Sequence, residues 1–183
     1  MNILEVKDLL LNEKKESGQS SSDSYERKEK QSNSYLSKSN SNKWDRIPSE
    51  LKSLDQWVTW KPEVREGKSS KVPYQPNGIR ASSTNKDTWS IFIDVQESEN
   101  VGFVFTDDDP FVFIDIDGNK ETGSFSPSAS FWISKFDSYT EVSPSKTGYH
   151  IIIKGKKNFP NCRRGDFEIY EKDRFATVES QNL

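Results

Sequence analysis

FVFIDIDG, residues 111–118, is the stretch on which the reading of this chain turns. Phe111 to Ile114 is strand-forming apolar sequence, and it runs straight into two aspartates separated by one isoleucine. Side chains alternate across a strand, so Asp115 and Asp117 share a face. Two carboxylates placed this way repel each other. Either they end the strand in solvent before a turn at Gly118, or they hold a hard divalent cation, since Mg²⁺ and Mn²⁺ prefer carboxylate oxygens. A third acidic ligand favours the second reading.

DFEIY, residues 166–170, offers two such acids on one strand face. Glu168 is the better choice because it sits mid-strand, whereas Asp166 follows the loop residue Gly165. The third element is EVSPSKTGYHIII, residues 141–153. His150 is the single histidine of the chain and opens an apolar strand. The turn before it carries Ser143, Ser145, Lys146, Thr147 and Gly148, whose hydroxyls, backbone N–H groups and positive charge suit phosphate oxygens. His150 can donate a hydrogen bond to the same phosphate. A loop of this kind beside a metal-holding pair reads as a triphosphate cradle.

Working outward, the chain divides at about residue 43. MNILEVKDLLLNEKK has Ile3, Val6, Leu9 and Leu10 at helical spacing, and a Ser/Asn-rich stretch with little to bury follows. Residues 1–43 are expected to be a short helix, either frayed or docking on a partner, plus a disordered linker. Residues 44–183 are expected to be one folded domain. RIPSELKSLDQW predicts a helix start. VTWKPEVREGKSSKVPYQPNG predicts two strands around a polar loop at 66–70, with Pro73 and Pro76 confining the second to an edge. NKDTWSIFIDVQES predicts a helix. VGFVFTDDDPFVFIDID predicts a tight hairpin turning at Asp107–Pro110. SPSASFWISKFDSY predicts a helix anchored by Phe131, Trp132 and Phe136, and TEV, YHIII, DFEIY and FATV predict four more strands. The class is α+β with a mostly antiparallel sheet. Trp57, Trp60 and Trp89 could stack on bases, but in a small domain the expectation is that they are core.

Of the 183 residues 31% are hydrophobic and 30% charged, and the net charge is −3. That mixture fits a folded part diluted by an unfolded one and argues against a general polyanion binder. The charge is uneven. Residues 91–134 hold nine acids and one lysine, and the basic excess lies on either side, in 61–90 and 135–174. A site that handles nucleotides and a strand needs both signs, carboxylates for metals and cations for phosphates. The single cysteine, Cys162, excludes a disulfide framework or a cysteine-based zinc site within the chain. No apolar run is long enough for a membrane span and no signal peptide is evident, so a soluble cytoplasmic protein is expected.

The succession WVTWKPEVREGKSSKVPYQPNGIRASSTNKDTW, VGFVFTDDDPFVFIDID, SYTEVSPSKTGYHIIIKG and GDFEIYEKDRFATV resembles the N-terminal primase-polymerase domain of phage and plasmid replication proteins, in the archaeo-eukaryotic primase superfamily. The resemblance runs from about Trp44 to Val178. It implies an RRM-like sheet joined to a small N-terminal α/β module, with the active site between them. It also implies that Asp115 and Asp117 are the metal-binding pair, Glu168 the third acid, and His150 a contact to the incoming nucleotide's phosphates. Gly148 stands where many members have serine. Arg163, Arg164 and Arg174 are expected, from charge and place, to touch phosphate or template. The implied chemistry is two-metal nucleotidyl transfer with two Mg²⁺ or Mn²⁺ ions, dNTP or NTP substrates and a single-stranded DNA template, in prokaryotic, phage or plasmid-type DNA replication.

Two departures are expected to matter. The sequence stops soon after FATV, where the family continues into more domain and often a helicase, and it has no zinc module. The alternative to an enzyme is therefore a shortened, non-catalytic module or replication regulator that holds nucleotide or single-stranded DNA. A separate helicase or a missing C-terminal half would then be the partner. A rolling-circle initiator is disfavoured because it needs paired metal-binding histidines.

Overall fold

The computed structural model describes residues 43–65, 67–157, 160 and 162–180. The helix and linker expected over 1–43 lie outside the described residues, Lys43 apart. In chain order the elements are α1 Ser49–Lys52, β1 Trp57–Arg65, β2 Lys68–Tyr74, a 3₁₀ turn Lys86–Thr88, α2 Phe92–Val95, β3 Val101–Phe105, β4 Phe111–Ile116, α3 Ala129–Phe136, β5 Tyr139–Val142, β6 Tyr149–Lys154, β7 Arg163–Arg164, β8 Phe167–Tyr170 and β9 Arg174–Val178. They build two antiparallel sheets, one ordered β2-β1-β3-β9 and the other β5-β6-β4-β8-β7. The expected α+β class with antiparallel pairing holds. The first sheet takes its last strand, β9, from the C-terminal end, so it is not made from the N-terminal half alone.

The hairpin expected over 101–117 does not form. β3 pairs with β1 and β9, while β4 pairs with β6 and β8 in the other sheet. Buried Asp109 makes the crossing. Its carboxylate accepts from the backbone N–H of Phe111 (2.7 Å) and of Thr106 (2.8 Å), and from the Gln56 side chain (2.8 Å). The connection is thereby held as a corner that passes the chain from one sheet to the next. Phe103 and Phe105 then meet Phe111 and Phe113 across the gap between sheets, with ring centroids 6.5 Å apart for 103–111 and 5.5 Å for 105–113. The same phenylalanines in a hairpin would lie side by side on one sheet and leave that face uncovered.

One core fills this gap, with Trp57, Val101, Phe103, Phe105, Ala176 and Val178 from the first sheet and Phe111, Phe113 and Ile152 from the second. Trp57 is fully buried, as expected of a core residue. A second core lies on the far face of the five-stranded sheet, where Val112, Ile114, Ile116, Ile151, Ile153, Phe167 and Ile169 pack with Trp132 of α3. β4 is covered on both faces, which is why its sequence reads as a continuous apolar run rather than an alternation. α3 buries Trp132, but Phe131, expected as an anchor, is 45% exposed. The helix ends at Asp137, whose left-handed φ of 42° stops it.

Two other expectations change. The helix expected over 85–98 is reduced to the 3₁₀ turn and four-residue α2. Ser90 exchanges backbone hydrogen bonds with Trp57, and the Trp89 indole donates to the Ser82 carbonyl (2.6 Å), so the segment is tied to the sheet before a longer helix can form. β2 begins at Lys68, so Ser69 and Ser70 are strand rather than loop. β2 is indeed an edge strand, where Pro73 removes no hydrogen bond that the sheet needs.

Candidate active site

Strand register brings the sequence-predicted residues into one line. Asp115 on β4 stands opposite His150 on β6 and, on its other side, opposite Glu168 on β8. The line continues to Glu141 on β5, opposite His150, and to Arg163 on β7, opposite Glu168. Directly paired residues point to the same face, so five strands contribute one row: Glu141, His150, Asp115, Glu168, Arg163. Phe113 and Ile152 occupy the same face two positions along and are core between the sheets. The row therefore lies on the face turned toward the first sheet, where the apolar packing gives way to polar groups.

A cavity of about 500 Å³ opens there, lined by Asp115, His150 and Phe113 on one side and by Lys71, Arg174 and Thr177 on the other. The hydroxyl of Thr177, a residue 4% exposed, has no hydrogen-bond partner. A second cavity, about 840 Å³, begins at Asp117 and is lined by Asn119, Phe125, Ser126, Arg163 and Asp166 among others.

The electrostatics are those of crowded carboxylates with cations drawn in. Burial pushes the Asp115 carboxyl above the ordinary range; nearby His150 opposes the shift, and Asp117 and Glu168 add to it. Arg163 places Nη1 2.8 Å from Glu168 Oε1 and Nη2 3.8 Å from Asp117 Oδ2. Lys120 Nζ is 3.9 Å from Asp117 Oδ1. The Tyr170 hydroxyl donates to Glu168 Oε2 (2.5 Å), and its own ionisation is pushed up to about 12 by burial and by that bond. His150 Nε2 is 4.0 Å from Asp115 Oδ1, and Nδ1 is 3.1 Å from Glu141 Oε1. Burial draws the Lys71 ammonium below its usual value, against the pull of Glu179 and Asp115.

The oxygen donors Asp115, Asp117 and Glu168 suit a hard divalent cation, and an added positive charge would relieve the strain on buried Asp115. Among the described residues, however, no three such groups converge on one point in the arrangement seen. Both Glu168 oxygens are already engaged. A cation fits this donor set if Glu168 exchanges Arg163 for it.

The other predicted residues divide. Arg174 lines the inter-sheet cavity, with its guanidinium 4.5 Å from the Tyr170 ring centroid. Arg164 pairs with Phe167, a residue of the second core, so it belongs to the opposite face and lies apart from the row. Ser145, Lys146, Thr147 and Gly148 line neither cavity. Their loop closes on itself: the Ser143, Ser145 and Thr147 hydroxyls bond to one another, at 2.8 and 3.1 Å. It packs so tightly on the end of β4 that a Cβ at Gly148 would lie 2.6 Å from the Ile116 carbonyl oxygen. Glycine at 148 is thus a packing requirement. Asp166 faces the second cavity, where Ser126 donates to it.

Sequence reasoning missed Glu141, Lys71 and Thr177. Glu141 could have been found from YTEV, because it shares the strand parity that points His150's partner inward. Lys71 and Thr177 come from the other sheet, and nothing local marks them.

No protein-family model matches the chain. Over 148 residues it is 35% identical to a DNA primase-polymerase of Nitratiruptor phage NrS-1, a match that takes in 72% of this chain and 20% of that protein. The chain is thus homologous to part of a phage DNA primase-polymerase and spans a fifth of its length. Among the described residues, no helix is long and apolar enough to cross a membrane.

Proposed function

We propose that this chain is the catalytic part of a DNA primase-polymerase of the archaeo-eukaryotic type, performing template-directed nucleotidyl transfer in phage or plasmid-type replication. The observation that carries the reading is the row across the five-stranded sheet, in which Asp115, His150 and Glu168, far apart in sequence, stand shoulder to shoulder, with Asp115 and His150 lining a cavity that Lys71 and Arg174 also line. On this reading the five-stranded sheet, with one helix on its far face, would be the RRM-like part of the expected fold, and the four-stranded sheet the smaller module.

Asp115, Asp117 and Glu168 would hold the Mg²⁺ or Mn²⁺ ions. The chemistry supplied by such ions is activation of the attacking hydroxyl and neutralisation of the departing pyrophosphate. The chain's own groups do the rest by position and charge. Lys71 and Arg174 meet the triphosphate's negative charge from the first sheet. His150 directs Nε2 into the same cavity. Phe113, locked in the inter-sheet core, gives the cavity an apolar wall beside His150. Single-stranded DNA template and dNTP or NTP are the partners this implies.

One observation favours the second reading, a module that binds nucleotide or single-stranded DNA without turnover. Glu168 is tied to Arg163 and Tyr170, and three ligands do not converge. Primer extension on a single-stranded template with dNTPs and Mn²⁺ or Mg²⁺ separates the two. Extension that disappears in the Asp115→Ala plus Asp117→Ala variant supports the enzyme. A folded protein that binds dNTP or single-stranded DNA but never extends a primer supports the module.

A further inference from the structure

Glu141 was not part of the sequence-derived site, yet it is the most deeply buried acid of the row, 1% exposed. A carboxylate taken so far from water is tolerated only when its oxygens are matched by donors. Oε2 has three: the Tyr139 hydroxyl at 2.7 Å and the backbone N–H groups of Glu179 at 2.9 Å and Ser180 at 2.8 Å. Tyr139 keeps its proton for this bond, because burial and the adjacent Glu141 charge push its ionisation far up. None of these three donors involves the histidine. They fix the carboxylate independently, and Oε1 is left facing His150 Nδ1 at 3.1 Å.

We propose that Glu141 is a positioning residue that accepts from His150 Nδ1–H and so turns Nε2 toward the inter-sheet cavity, where it can take a second proton and donate it to a phosphate oxygen. An acceptor-only oxygen beside Nδ1 requires the proton on Nδ1. The edge of the ring is held by Phe113, 5.0 Å away between centroids, which fixes its plane as well as its tautomer. Nε2 then points along the row toward Asp115 and into the cavity. The same carboxylate grips the chain just beyond β9, the strand that brings Arg174 and Thr177 to that cavity. Glu141 thereby couples the orientation of His150 to the placement of the opposite sheet. The inference rests on the functional reading above for what the cavity binds, but not for the tautomer.

Because His150 is the single histidine, protein labelled with ¹⁵N-histidine gives one imidazole pattern with no assignment problem. In the neutral form of the ring, read at high pH, a long-range ¹H–¹⁵N spectrum is expected to show Nδ1 protonated and Nε2 bare. Adding inorganic tripolyphosphate near neutral pH, where a phosphate oxygen needs a donor, should bring a proton onto Nε2 as well and leave Nδ1 protonated. Glu141→Gln gives a sharper expectation. The three donors around Oε2 will claim the amide oxygen, so the NH₂ faces Nδ1 and the tautomer inverts to Nε2–H. Primer extension by this variant should then drop about 10–100-fold, mainly in kcat, because an amide cannot stabilise the ring once it carries both protons. A neutral wild-type ring protonated on Nε2, or a folded Glu141→Gln with the wild-type pattern, overturns the proposal. The wild-type spectrum decides it even if the variant does not fold. An Nδ1–H ring in a protein that shows no extension and no tripolyphosphate response would instead sink the functional reading and leave the tautomer assignment standing.

Discussion

Arg163→Ala should make the carboxylate cluster a better cation site. The guanidinium contacts Glu168 at 2.8 Å and approaches Asp117 at 3.8 Å, so it stands as the resident counter-charge of two of the three acids proposed to hold metal. At about 4 Å and an effective dielectric near 20, each such pair is worth roughly 4 kcal/mol before desolvation and entropy are counted. The Arg163 side chain is 62% exposed, so water and salt screen most of that, and exposed pairs retain only about 0.2–1 kcal/mol each. With two carboxylates released, a gain of about 0.4–2 kcal/mol in cation binding follows, or roughly 2–30-fold in Kd. Titration of Mn²⁺, followed by loss of the free-ion electron paramagnetic resonance signal, measures this directly and needs no turnover. Arg164→Ala, on the opposite face, is the matched control and should change Mn²⁺ affinity little. Without divalent ions the Arg163 variant should also melt lower, and recover more on Mn²⁺ addition than wild type does. If Arg163→Ala binds Mn²⁺ no tighter than wild type, Arg163 does not compete for the site and the exchange argued for Glu168 is wrong.

Asp115→Asn should reduce primer extension at least about 100-fold while raising the melting temperature in divalent-free buffer. The folded state holds the Asp115 carboxyl above its unfolded value, so its contribution to stability is full below about pH 4 and falls as pH rises through the raised folded value. The asparagine variant should therefore show a flatter melting profile across that window, and an unchanged slope would refute the assignment. Asp109→Ala strips acceptors from the Phe111 and Thr106 N–H groups and the Gln56 amide, and should cost about 3 kcal/mol in urea unfolding. A loss under about 1 kcal/mol would mean the corner between sheets is held by something else. Gly148→Ser must displace the Ile116 carbonyl, so a loss of about 1–3 kcal/mol with a shifted Asp117 is expected. Unchanged stability and extension would show that the loop can yield.

Much of the site was legible because strand parity is a local property. Asp115 with Asp117 needed only the two-residue period of FVFIDIDG, and Glu168 and His150 needed only that DFEIY and YHIII be strands. Which strands lie side by side is set elsewhere, and there the reading failed. VGFVF and FVFID are separated by a turn-like TDDDP, and local chemistry cannot distinguish a hairpin from a corner between sheets. The difference lies in where four phenylalanines find cover and in Gln56, fifty-three residues from the Asp109 it helps to cage. The helix expected over 85–98 was lost for a similar reason, since Trp57 claims the backbone of Ser90 from another element. Lys71 and Arg174 reach one cavity only after β2 and β9 have been placed at opposite edges of a sheet.

This division explains why a strand that looks buried carries two carboxylates. The face of β4 turned toward the first sheet runs Phe111, Phe113, Asp115, with the first two locked in the inter-sheet core and the third lining the cavity. The strand is not violating the rule against buried charge. It passes from a region where the sheets interdigitate to one where a cavity separates them. The rigid phenylalanine packing at one end sets the height of the polar row at the other, and each paired strand delivers its residue to that height by register. The row is therefore as rigid as the sheet that carries it, and a catalytic arrangement needs that constancy. The mobile part of the chemistry is left to the ends of side chains, above all to Arg163 at the sheet's edge. That is why exchange at Glu168, rather than any movement of the backbone, is the step on which metal binding at this site should turn.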